Sequence, residues 1–439
     1  MKKSSEKYKK VKEEKIDLKQ LQNKLTKIKM SAPKGKNNLK SNVELGRDLD
    51  LYVVSDVVGS GLPLLTPKGA TIKREIERFI TDEELKRGYL HTATPFMAKS
   101  DLYKISGHWQ HYKEDMFVMN IHGEDFALRP MTCPFHFVLF KRKSRSYKEL
   151  PLKYAEISTL FRNEKSGELR GLTRVRQMTL ADAHILCTPS QLEEEFAKVL
   201  DLIKFSMEKL GVNDTWFRFS KWDSKNKEKY VNNPEAWEST EKLMKKILDK
   251  LKLKYVEAKG EAAFYGPKLD LQYKDVYGKE DTLFTVQIDF VSPEKFNLSY
   301  KNEKGKEEKV MVIHRSSTGT TERTMAHILE LTQGNLKTWL SPIQVKVLSM
   351  TSKNVASVEK LHDELLKKMI RVEIDERDVP VQKKVHDAQV EKVPYMVTLG
   401  EKEEKSKTLA VRTRDGKVEF NVKPEIFAQK IKKEIEERR

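Results

Sequence analysis

The chain has 439 residues, enough for two or three domains, and 38% of them are hydrophobic. The formal net charge of +18 favours a polyanionic partner, first nucleic acid and second an anionic membrane surface. The only two cysteines, Cys133 and Cys187, exclude a disulfide framework, and no apolar run approaches the ~20 residues of a membrane span.

Residues 1–42 form a lysine-rich extension that differs from the rest of the chain. Its first 40 residues carry 14 Lys and only four acidic residues. The apolar residues Leu18, Leu21, Leu25 and Ile28 are spaced as on one face of a helix. Two interpretations stay open: a solvated, partly disordered tail, or an accessory helix for nucleic acid or a partner protein.

Residues 43–338 contain both segments with helical hydrophobic spacing and segments with strand-like alternation. The hydrophobic spacing predicts helices over 72–86 and 321–331. Alternating and β-branched runs predict strands of an antiparallel sheet over 90–95, 154–161, 283–290 and 309–313.

The pattern of predicted elements changes over residues 339–439, where short strands alternate with helices. Strands are predicted over 345–348, 372–375, 395–399 and 409–413, and helices over 354–369, 380–390 and 424–438. This alternation predicts a small α/β domain with a largely parallel sheet.

Three scattered residues are candidate metal ligands. Cys133 lies in Met-Thr-Cys-Pro, His184 in Asp-Ala-His, and His314 at the end of the run Val-Met-Val-Ile-His. Spacing alone cannot prove a site, since each residue is more often structural. If they meet, one thiolate and two imidazoles suit zinc, and three protein ligands leave a coordination position open.

Two arginine-bearing segments are candidate phosphate sites. Arg162 follows the predicted strand 154–161 in Phe-Arg-Asn-Glu, and a glycine-containing loop leads from there to Arg174. Arginine can bind a phosphate or a carboxylate through two hydrogen bonds. Gly319 to Arg323 opens a predicted helix, and a helix start is a common anion site.

Taken together, these segments resemble threonyl-tRNA synthetase, a class II aminoacyl-tRNA synthetase. The helix and strand ending at Pro95 resemble motif 1, Arg162 to Arg174 resembles motif 2, and Gly319 to Arg323 resembles motif 3. The surroundings of Cys133, His184 and His314 match the zinc-ligand motifs of that family. Ala-Phe-Tyr-Gly-Pro-Lys at 263–268 and Val-Gln-Ile-Asp-Phe at 286–290 also match.

The resemblance implies the fold and the assembly. Residues 43–338 are expected to form an α+β class II catalytic domain, with an antiparallel sheet flanked by helices. Residues 339–439 are expected to form an α/β anticodon-binding domain. A cytoplasmic homodimer is expected from the same family, with no membrane partner.

The resemblance also implies residue roles in a threonine–tRNA ligase. Zinc would be held by Cys133, His184 and His314 and would bind the amino and hydroxyl groups of L-threonine. The remaining threonine-binding residues would be Asp182, Tyr265, Gln287 and Arg162. ATP, accompanied by magnesium, would be bound by Arg162, Glu164, Arg174 and Arg323. The residues expected to act in catalysis are Arg162, Lys268 and Arg323.

The expected reaction is attack of the threonine carboxylate on the α-phosphorus of ATP, followed by transfer of the threonyl group to tRNA(Thr). Valine lacks the hydroxyl and would leave Asp182 unpaired, so we expect a rejection of ~10⁴-fold or more. Serine loses only a methyl group, so we expect a discrimination of only ~10–200-fold. In the second domain, Asp378, Glu403 and Arg412 fall where the family reads anticodon bases.

The chain departs from the family at its N-terminal side and in its pocket. Full-length members carry N-terminal domains that hydrolyse seryl-tRNA, whereas the catalytic region here begins near residue 45. We therefore expect no editing in cis, and either a separate editing protein or tolerated mischarging. Pocket positions that differ from the usual family residue are Phe135, Met178, Leu180 and Thr282.

Two alternatives to an active threonine enzyme stay open. One is a non-charging paralogue that binds tRNA or regulates translation, and the other is a class II synthetase for another amino acid. The arginines of motifs 2 and 3 argue against the first, and the joint presence of the three metal-ligand candidates argues against the second.

Overall fold

The computed structural model describes Gln22, Met30 and residues 35–439. The helix predicted around Leu18, Leu21, Leu25 and Ile28 lies outside the described residues. None of the described helices is long and apolar enough to cross a membrane.

The helices of the first domain divide into short and long segments. They are α1 (Asn42–Asp48), α2 (Pro67–Lys86), α3 (Ser100–Ser106), α4 (His108–Tyr112), α5 (Cys133–Lys141), α6 (Leu192–Leu210), α7 (Pro234–Lys250), α8 (Ser292–Lys295) and α9 (Thr321–Thr332). The second domain contains α10 (Val355–Lys367), α11 (Val381–Val390), α12 (Glu401–Ser406) and α13 (Pro424–Glu436).

The strands of the first domain form one large sheet and three small ones. They are β1 (Tyr52–Val53), β2 (Leu64–Leu65), β3 (Leu90–His91), β4 (Met97–Lys99), β5 (Val118–Ile121), β6 (Glu124–Leu128), β7 (Leu152–Phe161), β8 (Gln177–Cys187), β9 (Thr215–Lys221), β10 (Tyr255–Lys259), β11 (Lys268–Lys274), β12 (Glu280–Asp289), β13 (Ser299–Lys301), β14 (Glu307–Lys309) and β15 (Met311–Thr320).

An eight-stranded sheet organises the first domain in the order β10-β9-β11-β12-β15-β8-β7-β3. Its inner pairs are antiparallel, and its two outermost pairs, β10 with β9 and β3 with β7, are parallel. The predicted antiparallel sheet flanked by helices is therefore confirmed.

One face of this sheet is apolar and packs on helices, while the other face is polar. In β8, Ala181, Ala183 and Ile185 belong to the main hydrophobic core, and Asp182 and His184 alternate with them. Successive side chains of a strand point to opposite faces. The helices α2, α6 and α9 contribute to that core, so the polar face is left for a site.

Helix α2 begins earlier than predicted because its start is capped by polar groups rather than by apolar ones. Thr66 accepts a hydrogen bond from the amide of Gly69, and Pro67 occupies the first turn. The apolar stripe that predicted the helix, including Ile72, Ile76 and Phe79, is buried. The structure thus adds about a turn before the predicted start at residue 72.

The strand predicted over 90–95 is wrong beyond His91. The hydroxyls of Thr92 and Thr94 lie 3.2 and 2.9 Å from a carboxylate oxygen of Glu156, and Pro95 follows. Proline has no amide hydrogen, so it cannot extend a strand ladder by donation. Pairing with β7 consequently stops after two residues.

The second domain contains β16 (Val345–Ser349), β17 (Val372–Asp375), β18 (Tyr395–Leu399), β19 (Leu409–Thr413) and β20 (Val418–Val422), in the order β17-β16-β18-β19-β20. The α/β architecture is confirmed, but the sheet is parallel in only two of its four pairs. The prediction of a largely parallel sheet is wrong because β19 and β20 are joined by a four-residue turn, which is too short for a parallel crossover. Strand β20 was not predicted.

Polar contacts join the two domains. The guanidinium of Arg371 lies 3.3 Å from the carboxylate of Glu75 on α2. Arg438 lies 3.1 Å from Asp82 on the same helix. The domain boundary at residues 338 and 339 stays a prediction.

Candidate active site

The site residues predicted in the first domain meet in one cleft. The cleft has a volume of about 730 Å³ and lies over the polar face of β11, β12, β15 and β8. The predicted residues that line it are Cys133, Arg162, Glu164, Arg174, Asp182, His184, Tyr265, Lys268, Gln287, His314 and Arg323.

The floor of the cleft is a grid of side chains, because neighbouring strands pair in register. A first row crosses the sheet as Lys268, Gln287, His314 and His184. A second row, two residues along each strand, consists of Asp270, Thr285, Ser316 and Asp182. Directly paired residues share a face of the sheet, and all eight line the cleft.

Cys133, His184 and His314 form a buried cluster at one end of the cleft. The sulfur and one nitrogen of each ring lie within 4.8 Å of one another. Cys133 begins α5, while the two histidines face each other across β8 and β15 with ring centroids 4.6 Å apart. One thiolate and two imidazoles form a donor set suited to Zn²⁺.

Hydrogen bonds orient both imidazoles of this cluster. Nδ1 of His184 lies 2.8 Å from Nδ1 of His136, and Nε2 of His314 lies 2.8 Å from a carboxylate oxygen of Asp289. These contacts leave Nε2 of His184 and Nδ1 of His314 for the cluster. Ligating histidines usually have such a partner behind them, so the residues fit a zinc ion.

Burial also favours the neutral form of His184, which is the form that binds a metal. It lowers the pKa of His184 well below its ordinary value, and the neighbouring rings of His314 and His136 add to this shift. Neutral imidazole is the form that binds a metal. Burial raises the pKa of the Cys133 thiol well above its ordinary value. A cation has to be close for this residue to become a thiolate ligand.

Asp182 and Tyr265 lie beside the cluster. One carboxylate oxygen of Asp182 is 3.8 Å from Nε2 of His184, and burial raises the pKa of this carboxyl group above its ordinary value. The ring of Tyr265 stacks on His314 at 4.9 Å, and its hydroxyl donates to the side-chain oxygen of Gln287. This end of the cleft suits a small polar ligand.

Arginines gather at the opposite end. The guanidinium of Arg323, at the start of α9, donates to the carbonyls of Thr173 at 3.1 Å and Thr282 at 2.8 Å. Arg174 lies 2.8 Å from carboxylate oxygens of both Glu164 and Glu168. The guanidinium charges at this end suit the phosphates of a nucleotide.

Arg162 and Lys268 lie along the sides of the cleft. Nε of Arg162 is 3.4 Å from the carbonyl of Pro130. The ammonium of Lys268 lies 3.0 Å from Asp270, whose other oxygen accepts a hydrogen bond from Thr285 at 2.9 Å. Both cations are therefore held in place by neighbouring oxygens.

The four pocket positions that depart from the family are not equivalent. Met178, Leu180 and Thr282 line the cleft. Phe135 is instead buried in a separate apolar cluster with Tyr103 and Met116.

The three residues predicted to contact an anticodon lie in the second domain, away from the cleft. Asp378 and Glu403 follow the carboxyl ends of β17 and β18, whereas Arg412 lies within β19 opposite Met396. Arg412 donates to the carbonyl of Gly416 at 3.1 Å.

The sequence interpretation assigned no role to His136 and Asp289, which orient the metal-ligand candidates. A signal existed for both residues. His136 lies one helical turn after Cys133, and Asp289 is on the strand of Gln287, two positions further along. It also missed Ser316, two positions after His314 on the same face of β15.

Comparison with known proteins agrees with this geometry. A family model for the tRNA synthetase class II core domain (G, H, P, S and T) matches residues 117–332, and an anticodon binding domain model matches residues 344–434. The fold and the cleft define a class II aminoacyl-tRNA synthetase.

Similar proteins of known name indicate a family within this class. Threonine–tRNA ligases of Clostridium botulinum (strain Eklund 17B / Type B) and Clostridium perfringens (strain SM101 / Type A) are 52% and 50% identical over 89% and 90% of this chain. The chain spans 62% of the length of each of these curated relatives. A crystal structure of the RNA binding domain of threonyl-tRNA synthetase from Cryptosporidium parvum is 34% identical with a TM-score of 0.85, and the match covers 90% of this chain and 98% of that one. The chain belongs to the threonyl-tRNA synthetase family.

Proposed function

We propose that this protein is a threonine–tRNA ligase that converts L-threonine and ATP into threonyl adenylate and transfers the threonyl group to tRNA(Thr). The observation that carries the proposal is the buried Cys133, His184 and His314 cluster at one end of a cleft whose other end collects arginines. The names of the relatives support the same activity.

We propose zinc as the ion held by the three-residue cluster. When bound, zinc would supply a Lewis acid with free coordination positions for the amino and hydroxyl groups of threonine. In this proposal Asp182 accepts a hydrogen bond from the threonine hydroxyl, and Tyr265 lies beside the amino group. Valine would leave the buried carboxylate of Asp182 without a partner, so we expect strong rejection of valine. Serine keeps the hydroxyl, so we expect only weak rejection of serine.

At the other end, the arginines would bind Mg²⁺-ATP. In this proposal Arg162 and Lys268 bind the α-phosphate, Arg174 binds the γ-phosphate, and Arg323 stacks on adenine beside Glu164. The threonine carboxylate attacks the α-phosphorus, and pyrophosphate leaves. The protein contributes positioning and stabilisation of the charge that develops on the transferring phosphoryl group, so no protein nucleophile is needed.

The second domain would bind the tRNA anticodon through Asp378, Glu403 and Arg412. The formal net charge of +18 supports a polyanionic partner of this kind. We further propose a homodimer, supported by large exposed apolar side chains on and around β3, namely Leu85, Leu90, Phe96 and Met97. A cytoplasmic location stays a prediction.

ATP–pyrophosphate exchange with threonine, serine, valine and proline tests the function directly. We expect exchange with threonine, weaker exchange with serine, and none above background with valine or proline. Arg323→Ala should reduce exchange with threonine by at least about 100-fold, because it removes a charge that stabilises the transition state. Absence of exchange with threonine would refute the activity and favour a non-charging paralogue.

Metal analysis of the purified protein tests the zinc proposal separately. We expect close to one zinc ion per chain and loss of that zinc in Cys133→Ala. A protein that exchanges threonine with far less than one zinc ion per chain would contradict the assignment of the cluster.

A further inference from the structure

Ser316 is a buried hydroxyl on the cleft floor with no assigned role. Its side chain lines the cleft, and the residue is 3% exposed. Its Oγ makes no hydrogen bond to any residue that the structure describes. A buried hydroxyl without a partner costs folding free energy, which a ligand hydrogen bond would offset.

The neighbours of Ser316 in the second row define what can reach it. It pairs with Asp182 on β8 and with Thr285 on β12. The hydroxyl of Thr285 is already engaged, because it donates to Asp270 and accepts from Gln287. The structure gives the hydroxyl of Ser316 no hydrogen bond to Asp182 or to Thr285, so this hydroxyl is open to a partner from a molecule in the cleft.

The second row lies between the two ends of the cleft, and this position indicates which part of a bound ligand would contact Ser316. The first row holds both histidines of the metal cluster, and the second row lies two residues further along each strand, about 7 Å away. Beyond it, Leu180 pairs with Thr320, and α9 with Arg323 begins at the next residue. Ser316 thus lies between the proposed amino-acid and nucleotide subsites.

The substrate carboxylate has to occupy this intermediate position. In the proposed reaction the amino and hydroxyl groups of threonine lie at the cluster of Cys133, His184 and His314, while an oxygen of its carboxylate attacks the α-phosphorus. We propose that the hydroxyl of Ser316 donates a hydrogen bond to the carboxylate of the bound amino acid, making Ser316 a further substrate-binding residue. This inference rests on the proposed function.

The adjacent Ser317 provides a matched control. It is also a serine, it is 0% exposed, and its Oγ likewise lacks a hydrogen bond to a described residue. It does not line the cleft, because successive residues of a strand point to opposite faces. The two serines differ in which side of the sheet they face.

The test compares Ser316→Ala with Ser317→Ala in ATP–pyrophosphate exchange. We expect Ser316→Ala to raise KM for threonine and for serine by the same factor, about tenfold, because both amino acids carry the carboxylate. Ser317→Ala should leave both KM values unchanged. Thermal unfolding should show that neither variant is less stable than the wild type, since each removes an unpaired buried hydroxyl.

Several outcomes would overturn the inference. These are an unchanged KM for threonine in Ser316→Ala, an equal rise in Ser317→Ala, or a rise for threonine without one for serine, which would place the contact on the side chain. A lower Tm for Ser316→Ala than for Ser317→Ala would indicate a structural hydroxyl. Failure of the proposed function is distinct, because the wild type would then show no exchange with threonine.

Discussion

Buried polar side chains define this protein at the residue scale. The alternation in β8 places Asp182 and His184 in the cleft and their neighbours Ala183 and Ile185 in the core. A buried imidazole needs a partner for its second nitrogen, and His136 and Asp289 supply one to each histidine of the metal cluster. The chemistry of the cluster therefore depends on residues that do not belong to it.

Asp289→Asn is predicted to weaken zinc binding by about 10–100-fold, because an NH2 group, which donates and does not accept, replaces the carboxylate oxygen that faces His314. The other side-chain oxygen accepts from the amides of Val291 and Ser292, and asparagine can preserve these two bonds. The variant should therefore stay folded. Competition with a chromophoric chelator measures the zinc affinity.

The control for this prediction is Asp101→Asn, which changes an exposed aspartate paired with Lys104. Zinc affinity should be unchanged in this variant. An Asp289→Asn protein that binds zinc as tightly as the wild type would show that the carboxylate does not orient His314.

At the scale of elements, one buried ion pair ties β15 to α2. Nη1 of Arg315 lies 2.5 Å from a carboxylate oxygen of Glu84, and both side chains are at most 1% exposed. Burial raises the pKa of Glu84, but the charge and hydrogen bonds of Arg315 and His91 outweigh this and leave the pKa below its ordinary value of 4.5. Arg315 follows His314 directly, so this pair also supports the metal cluster.

Glu84→Gln is predicted to lower the free energy of unfolding at pH 7 by about 3–5 kcal/mol, because it leaves the charge of Arg315 buried without its partner. The folded-state pKa of Glu84 is below 4.5, so its contribution is complete above pH 4.5 and is lost as the pH falls through the folded-state value. The difference between wild type and variant should therefore shrink in acid. Urea unfolding between pH 7 and pH 3 measures it.

Glu194→Gln is the matched control, since it removes an exposed ion pair with Lys198. Its stability should differ little from that of the wild type at either pH. A Glu84→Gln variant that is equally stable at pH 7 would contradict the importance of the buried pair.

At the scale of the whole molecule, the proposed function implies that aminoacylation requires both domains, whereas adenylate formation requires only the first. Arg371→Ala removes the contact to Glu75 that joins the domains. We expect exchange with threonine to change by less than about twofold. We expect kcat/KM for tRNA charging to fall about tenfold, because the two domains that would contact the tRNA are no longer held in one relative orientation.

Lys433→Ala serves as the control, because Lys433 is exposed on α13 and contacts only Glu437 among the described ion pairs. It should leave both activities unchanged. Parallel losses of exchange and charging in Arg371→Ala would mean that the contact stabilises the first domain rather than the arrangement of the two.

The proposed homodimer gives a second prediction at this scale. Leu90 lies on β3, the outermost strand of the large sheet, and is 52% exposed. Leu90→Lys should convert the dimer to monomers, because a charge in an apolar interface loses its hydration. Light scattering measures the mass, with Leu366→Lys, also 52% exposed, as the matched control in the second domain. A Leu90→Lys protein that keeps the wild-type mass would place any interface elsewhere.

Local patterns in the sequence were sufficient to predict many of the helices and strands of this protein. Helix α2, the strands β7 and β12, and the alternation of the second domain follow from hydrophobic spacing and turn residues, which act over a few positions. The motifs around Cys133, His184 and His314 also pointed to zinc through their resemblance to one family. Sheet direction in the second domain was wrongly predicted, because strand pairing depends on how the chain returns and not on the strand itself.

The tertiary structure determined which side chains of the cleft lie next to each other. Registers between β12, β15 and β8 place Gln287, His314 and His184 in one row, although His184 and His314 are 130 positions apart in sequence. Asp289 and Ser316 owe their positions to that register, whereas His136 is positioned by α5. Hydrophobic periodicity specifies a face of a strand, whereas only the pairing of strands from distant segments brings two particular side chains together.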